Sequence, residues 1–184
     1  KDLLTTTSFH MEVSTVTVLE TAKKMIDYSH GNLHDINHFM KVYAYAKMIA
    51  DEEQLDPDTQ KLVEMTALVH DIACPLCRVK YGNTNGKNQE KESAALIAEF
   101  FKDSNLSQDF TDRISFLVSH HHTLDQIDGI DYQIIIEADY LVNADESHFS
   151  GHNIKNMYDK IFKTETGKFL LRSMYQNCLE NETL

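Results

Sequence analysis

Ten histidines in 184 residues set this chain apart, and several stand where they could do chemistry. Two His-Asp pairs occur, His34-Asp35 and His70-Asp71. The first follows Gly31-Asn32 and reads as a helix start, where an acid is favoured by the cap and the dipole. The second sits inside an apolar run, between Met65-Thr66-Ala67-Leu68-Val69 and Ile72-Ala73. A buried, unpaired carboxylate costs several kcal/mol, about enough to demand an Arg, a His or a metal as partner. His38 lies four, seven and eleven residues before Val42, Tyr45 and Ile49, so it projects from a core-facing stripe. On its own it reads as a satisfied core histidine. Asp139 has Ile135, Ile136 and Val142 as its helical neighbours, which sets it on a buried face, while Glu137 lies elsewhere on the wheel. Together His38, His70, Asp71 and Asp139 form a set of two imidazoles and two carboxylates. That set suits Mn, Fe, Zn, Co or Ni, with Mg admitted, and leaves positions open for water. His120-His121-His122 stands behind Leu117 and Val118, so at least one of its rings turns inward. Such a ring could hold a second metal or donate to a phosphate oxygen.

These residues need helices to position them, and the apolar spacing is helical nearly throughout. It predicts helices over Val13 to Tyr28, Asp35 to Glu53, and from Asp56-Pro57 into His70-Asp71, the last opened by an Asp cap and a first-turn Pro. Residues 74–88 break the pattern with Pro75, Gly82, Asn83, Asn85 and Gly86, and read as the longest internal loop. Further helices are expected over Gln89 to Lys102, Ser107 to His122 and Tyr132 to Asp145. Ile134-Ile135-Ile136 has strand propensity but no strand to pair with, so it reads as buried helix. His152 to Cys178 adds one or two helices, broken near Gly167. Their apolar residues, Phe162, Phe169, Leu170, Leu171, Met174 and Tyr175, would cap the core or pair two chains as a homodimer. The fold class is all-α, one domain.

Composition narrows the function. Six Gly and two Pro argue against an all-β chain of many tight turns. A net charge of −12 makes duplex nucleic acid an unsuitable partner. No apolar run reaches the roughly 18 residues of a membrane helix, and Lys1 to His10 lacks an apolar leader segment. Three Cys, two of them in Cys74-Pro75-Leu76-Cys77, do not make a disulfide scaffold, and a reducing cytoplasm is the simplest setting. The Cys pair lacks the βαβ context of a redox motif, and although Cys178 and a His could complete a zinc site, their spacing gives it no support. Against the acidic background, Arg78, Lys80 and Lys87 cluster after the second His-Asp pair, with Lys91 opening the next helix. They are candidate phosphate contacts.

Three local stretches resemble one family. His34-Asp35-Ile36-Asn37-His38-Phe39-Met40-Lys41-Val42 is similar to an opening H-D-x-x-H-x-x-R-V, with Lys41 where Arg is usual. Leu68-Val69-His70-Asp71-Ile72 resembles L-x-H-D-I, and Glu137-Ala138-Asp139-Tyr140-Leu141 resembles E-A-D-x-L. In this order, over residues 34 to 146, they resemble the HD-domain superfamily of metal-dependent phosphohydrolases, closest to its small bacterial stand-alone members. The resemblance implies a single helical bundle of the HD type spanning residues 1–184. It implies His38, His70, Asp71 and Asp139 as ligands of one divalent metal, with two metals the alternative. Members with two metals carry a His where Gln89 stands here. The implied reaction is hydrolysis of a phosphate ester or anhydride of a nucleotide or similar small molecule, by water that Asp71 helps to orient. His121 and, more weakly, His120 are the candidate acid or donor groups, while Gln89 joins Arg78, Lys80, Lys87 and Lys91 as candidate substrate contacts. A di-iron oxygenase and a non-catalytic nucleotide-binding sensor are the competing readings.

Overall fold

The computed structural model describes residues 15–180, and among these it contains ten helices and no strand. They are α1 (Val18–Tyr28), α2 (Leu33–Glu52), α3 (Pro57–Val69), α4 (Cys74–Tyr81), α5 (Gly86–Phe101), α6 (Gln108–Val118), α7 (Ile130–Glu146), α8 (Gly151–Lys160), α9 (Glu165–Met174) and α10 (Gln176–Glu180). Their starts follow from the capping residues. Thr17 and Glu20 form a reciprocal capping box at α1. Asn32, Asp56, Asn85, Ser107, Ser150 and Thr164 each accept a backbone N–H at the heads of α2, α3, α5, α6, α8 and α9.

Helix α7 runs through the centre and is buried on nearly every face, its polar residues Asp131, Gln133, Glu137 and Asp139 included, and those need partners inside the fold. On one side Ile134, Ile135 and Leu141 pack with Val42, Ala46 and Ile49 of α2 and with Phe162 and Leu171. On the other, Tyr132 and Ile136 meet Phe39, Leu68, Ile72, Ile97 and Leu117. Each large apolar side chain so buried contributes about 1.5–3 kcal/mol. Helices α2, α3 and α7 pack directly on one another, and they position His38, the His70-Asp71 pair at the end of α3, and Asp139.

Several expectations change in detail. The stretch 74–88 is not one loop. It holds the two turns of α4, for which Pro75 and Gly82 are the punctuation, a Pro in the first turn and a left-handed Gly at the C-cap with φ 69°. Helix α6 stops at Val118, four residues short of His122, because imidazoles supply its C-terminal partners. His120 Nδ1 donates to the Phe116 carbonyl and His121 Nδ1 to the Val118 carbonyl, each at 2.7 Å. The C-terminal break falls between α8 and α9, not at Gly167, which lies inside α9. The first helix begins at Val18, and Val13, Ser14 and the stretch from Lys1 to His10 lie outside the described residues. Ile134 to Ile136 is helical, within α7. Of the C-terminal apolar residues, Phe162 and Leu171 are fully buried in the core, whereas Phe169 and Met174 are exposed. No described helix is long and apolar enough to cross a membrane.

Candidate metal centre and its cleft

The site is built from the ends and inner faces of three helices. His38 sits one turn into α2, His70 is the C-cap of α3 with Asp71 just beyond it, and Asp139 lies at the middle of α7. His38 Nε2 and His70 Nε2 are 3.2 Å apart. Asp139 Oδ1 lies 3.3 and 3.4 Å from them, and Asp71 Oδ2 3.4 and 3.7 Å. The four residues singled out from the sequence thus converge on one point. Both His rings have their other nitrogen committed. His70 Nδ1 donates to the Ala67 carbonyl at 2.7 Å, and His38 Nδ1 to Glu146 Oε2 at 2.8 Å. With Nδ1 protonated, two neutral imidazoles would aim their Nε2 lone pairs at each other, between two carboxylates. Such an arrangement requires a cation, either a proton or a metal. Ligand-to-ligand separations of this size also suit bonds of about 2.0–2.2 Å in a tetrahedral or octahedral shell. The residues therefore fit a divalent metal, and Glu146, itself held by Lys41 at 2.9 Å, is the outer carboxylate that fixes the His38 tautomer.

The charges agree with this geometry. Burial works against a charged His38, yet Asp139, Asp71 and Glu146 outweigh it and raise its pKa to about 9. Burial likewise opposes ionisation of Asp71 and Asp139, but the surrounding His rings hold both carboxyls below the usual range. The second oxygen of Asp71 faces His121, whose Nε2 is 3.6 Å away. His121 is buried, and that Nε2 has no hydrogen-bond partner. Burial disfavours its charge, but Asp71 raises its pKa overall.

The other candidate residues divide. A polar cavity of about 240 Å³ opens onto the centre, lined by His38, Asp71, Asp139, Cys74, Arg78 and Gln89 among others. Arg78 spans its rim in a two-pronged bond to Asp35, at 2.7 and 2.6 Å. Gln89 is buried, donates to the Thr84 carbonyl at 2.9 Å and has an unpartnered Oε1. Lys80, Lys87 and Lys91 do not line the cavity. Lys80 pairs with Glu92 at 2.8 Å, and Lys91 lies over the Tyr81 ring. His120 is turned away from the centre and stacked on Phe116, with ring centroids 4.4 Å apart. Cys74 and Cys77 are buried free thiols whose pKa values burial raises, and Cys178 is exposed, with Sγ packed beside Gly151.

Sequence reasoning missed His122, Asn143 and Glu146. Asn143 and Glu146 follow Asp139 by four and seven residues on the same face of α7, a spacing that could have found them. Asn143 Nδ2 donates to Asp139 Oδ1 at 2.8 Å. His122 lies against Gly86, where a Cβ would come within 2.6 Å of the ring. With Asp71 and His121 it forms a second group able to hold a metal, beside that of His38, His70 and Asp71.

Comparison with known proteins places this architecture. Two solved structures share the fold. One, a predicted HD superfamily hydrolase from an uncultured Thermotogales bacterium, matches with a TM-score of 0.61 at 21% identity, over 89% of this chain and 86% of that one. The other, Bacillus subtilis YpgQ, matches with a TM-score of 0.62 at 17% identity, over 90% of this chain and 92% of that one. No curated protein matches the sequence. The HD domain model matches residues 35–145, the span that holds all four converging side chains, and the chain belongs to the HD-domain family.

Proposed function

We propose that this protein is a metal-dependent phosphohydrolase acting on a phosphate ester or anhydride of a nucleotide or similar small molecule. The observation that carries the proposal is the convergence of two imidazole nitrogens and two carboxylates at 3.2–3.7 Å, on the floor of a cavity with an Arg at its rim. His38, His70, Asp71 and Asp139 would hold the ion. Bound there, a divalent metal supplies Lewis-acid polarisation of a phosphoryl oxygen and lowers the pKa of a water. The chain's own groups do the rest. Asp71, with one oxygen toward the His pair and the other toward His121, accepts a hydrogen bond from the attacking water and orients it. His121 Nε2, buried and unpartnered, donates a proton to the leaving oxygen. Arg78 leaves Asp35 to meet phosphoryl charge, which a bidentate guanidinium suits. Gln89 offers a hydrogen bond to the substrate from the cavity wall. His120, Lys80, Lys87 and Lys91 have no part in this reading.

A second reading has two metals per chain, and the Asp71, His121 and His122 group favours it. His121 would then be a ligand rather than an acid, and an iron-dependent oxygenase becomes the rival chemistry. Elemental analysis of protein purified without chelator decides the count. About one equivalent, lost in Asp139→Ala, with phosphate released from a panel of nucleotides and phosphate esters, supports the first reading. Two equivalents with O₂ consumption by the Fe(II) form would replace it. Tight nucleotide binding without turnover would mean a sensor. No metal in the wild type after reconstitution with Mn, Fe, Zn and Ni would overturn the proposal.

A further inference from the structure

A second cavity, of about 370 Å³, adjoins the polar one and shares with it the ridge formed by Asp139, Asn143 and His122. Its lining has another character. Leu124, Tyr140, Phe149 and Met157 form its walls, and beyond the shared Asp139 no Lys, Arg, Asp or Glu reaches it. The Tyr140 and Phe149 rings lie 5.5 Å apart and tilted by 39°. Two amides edge the chamber, those of Asn143 and Asn153, and Asn153 Oδ1 accepts the Tyr140 hydroxyl at 2.6 Å. His121 and His122 line it on the ridge side, but among the described residues no Lys or Arg does, whereas the adjoining chamber has Arg78, so the charged end of a substrate belongs there. At about 240 Å³ that chamber is smaller than a usual ligand pocket, about 300–1,000 Å³, and the apolar one brings the cleft into that range.

We propose that this aromatic chamber binds the nucleobase of a nucleoside 5′-phosphate whose phosphate lies across the ridge at the metal centre. The inference rests on the phosphohydrolase reading and deepens it by assigning the part of the substrate that does not react. Aromatic walls stack on the π-face of any base, and the two amides offer donors and acceptors to its edge. An alkyl chain would fill the same walls but make no use of Asn143 Oδ1 and Asn153 Nδ2, the amide atoms that the bonds to Asp139 and Tyr140 do not take up.

The test uses the full chain loaded with Mn(II). Binding by equilibrium dialysis and turnover by phosphate release are measured for adenosine and cytidine 5′-mono- and triphosphates. They are set against ribose 5-phosphate and tripolyphosphate, which lack the base, and hexyl phosphate, which carries an alkyl chain. The expected result is tighter binding of the base-bearing compounds by about 5- to 150-fold, the range for stacking one base on aromatic side chains. Phe149→Ala should shrink that preference about tenfold, and Leu124→Ala and Asn153→Ala, at two exposed positions, should shrink it by about two- to fivefold, with Leu124→Ala the variant that breaks no hydrogen bond to a core residue. Equal binding with and without the base overturns the inference, as does hexyl phosphate matching the nucleotides, or a preference that none of the three variants moves. Phosphate release without base preference refutes the chamber and keeps the hydrolase. Base preference without phosphate release does the reverse.

Discussion

Metal uptake by this protein should be strongly pH-dependent, because His38 must give up a proton to become a ligand. Without a metal, Asp139, Asp71 and Glu146 raise the His38 pKa to about 9 against the penalty of burial. At pH 7 the ring is therefore protonated, and the ion must displace about two pH units of proton affinity, roughly 2.7 kcal/mol. Apparent affinity should climb about tenfold per unit from pH 6.5 to 8.5, where His38 still carries its proton in the free protein. Calorimetry in two buffers of different ionisation enthalpy should count about one proton released per Mn(II) at pH 7. Glu146→Gln sharpens the test. The amide oxygen can still accept from His38 Nδ1, so the ring stays oriented, but one of the three carboxylates is gone. Proton release at pH 7 should fall and the slope should flatten, while affinity drops by about 10- to 100-fold. The sign for stability follows the same group. A raised folded pKa stabilises the metal-free protein fully below about pH 6.5, and that contribution is lost as pH rises through about 9. Thermal stabilisation by metal should therefore grow over this window. A flat affinity between pH 6.5 and 8.5, or an unchanged slope in Glu146→Gln, would refute the reasoning.

Three more outcomes follow from particular contacts. Glu137 is fully buried and accepts from Gln133 Nε2 at 2.6 Å, from the backbone N–H groups of Lys163 and Thr164 at 2.6 and 3.1 Å, and from the Thr164 hydroxyl. Glu137→Ala strands these donors and should cost about 3–5 kcal/mol, or roughly 6–20 °C in Tm. Glu137→Gln keeps one oxygen for three of them and should stay within about 1 kcal/mol, so equal losses in a thermal melt would contradict this account. Gly167→Ala would drive a Cβ into the Glu137 carboxylate and the Thr164 hydroxyl, and its Tm should fall by an amount comparable to Glu137→Ala. Arg78→Ala should lower kcat/KM by about 10- to 150-fold with metal content unchanged, the loss expected for a hydrogen-bonded charge. Kinetics indistinguishable from wild type would remove Arg78 from the cleft's chemistry.

Most of the candidate metal centre was legible because burial makes polarity conspicuous. His38, His70, Asp71 and Asp139 all sit on apolar stripes where an unpaired polar group is costly. What stayed hidden depended on contacts distant in sequence. Nothing local shows that Arg78 reaches back to Asp35, 43 residues earlier, or that Lys80 turns to Glu92 and away from the cavity. The His tract reads as helix in the sequence because its apolar spacing continues that of α6. Its rings instead bend back to cap the last carbonyls, so His120 falls on Phe116 and His122 on Gly86, a division that depends on the turn rather than on the helical wheel. Helix α4 went unrecognised because two turns are too short to show a period, although Pro75 and Gly82 bracket it as caps.

The division between the converging ligands and the wall that carries Arg78 has an evolutionary consequence. The four converging side chains belong to α2, α3 and α7 and the residue after α3, elements packed against one another, so a change there disturbs core and chemistry together. Helix α4 packs chiefly on α5 and is tied across the cleft to α2 by the Arg78–Asp35 bridge. That rim can drift, lengthen or exchange its charges without moving any of the four converging side chains. On the reading proposed above, a lineage built on this scaffold is free to change what it recognises while keeping how it reacts, so divergence among relatives should concentrate in α4 and the turn that follows it.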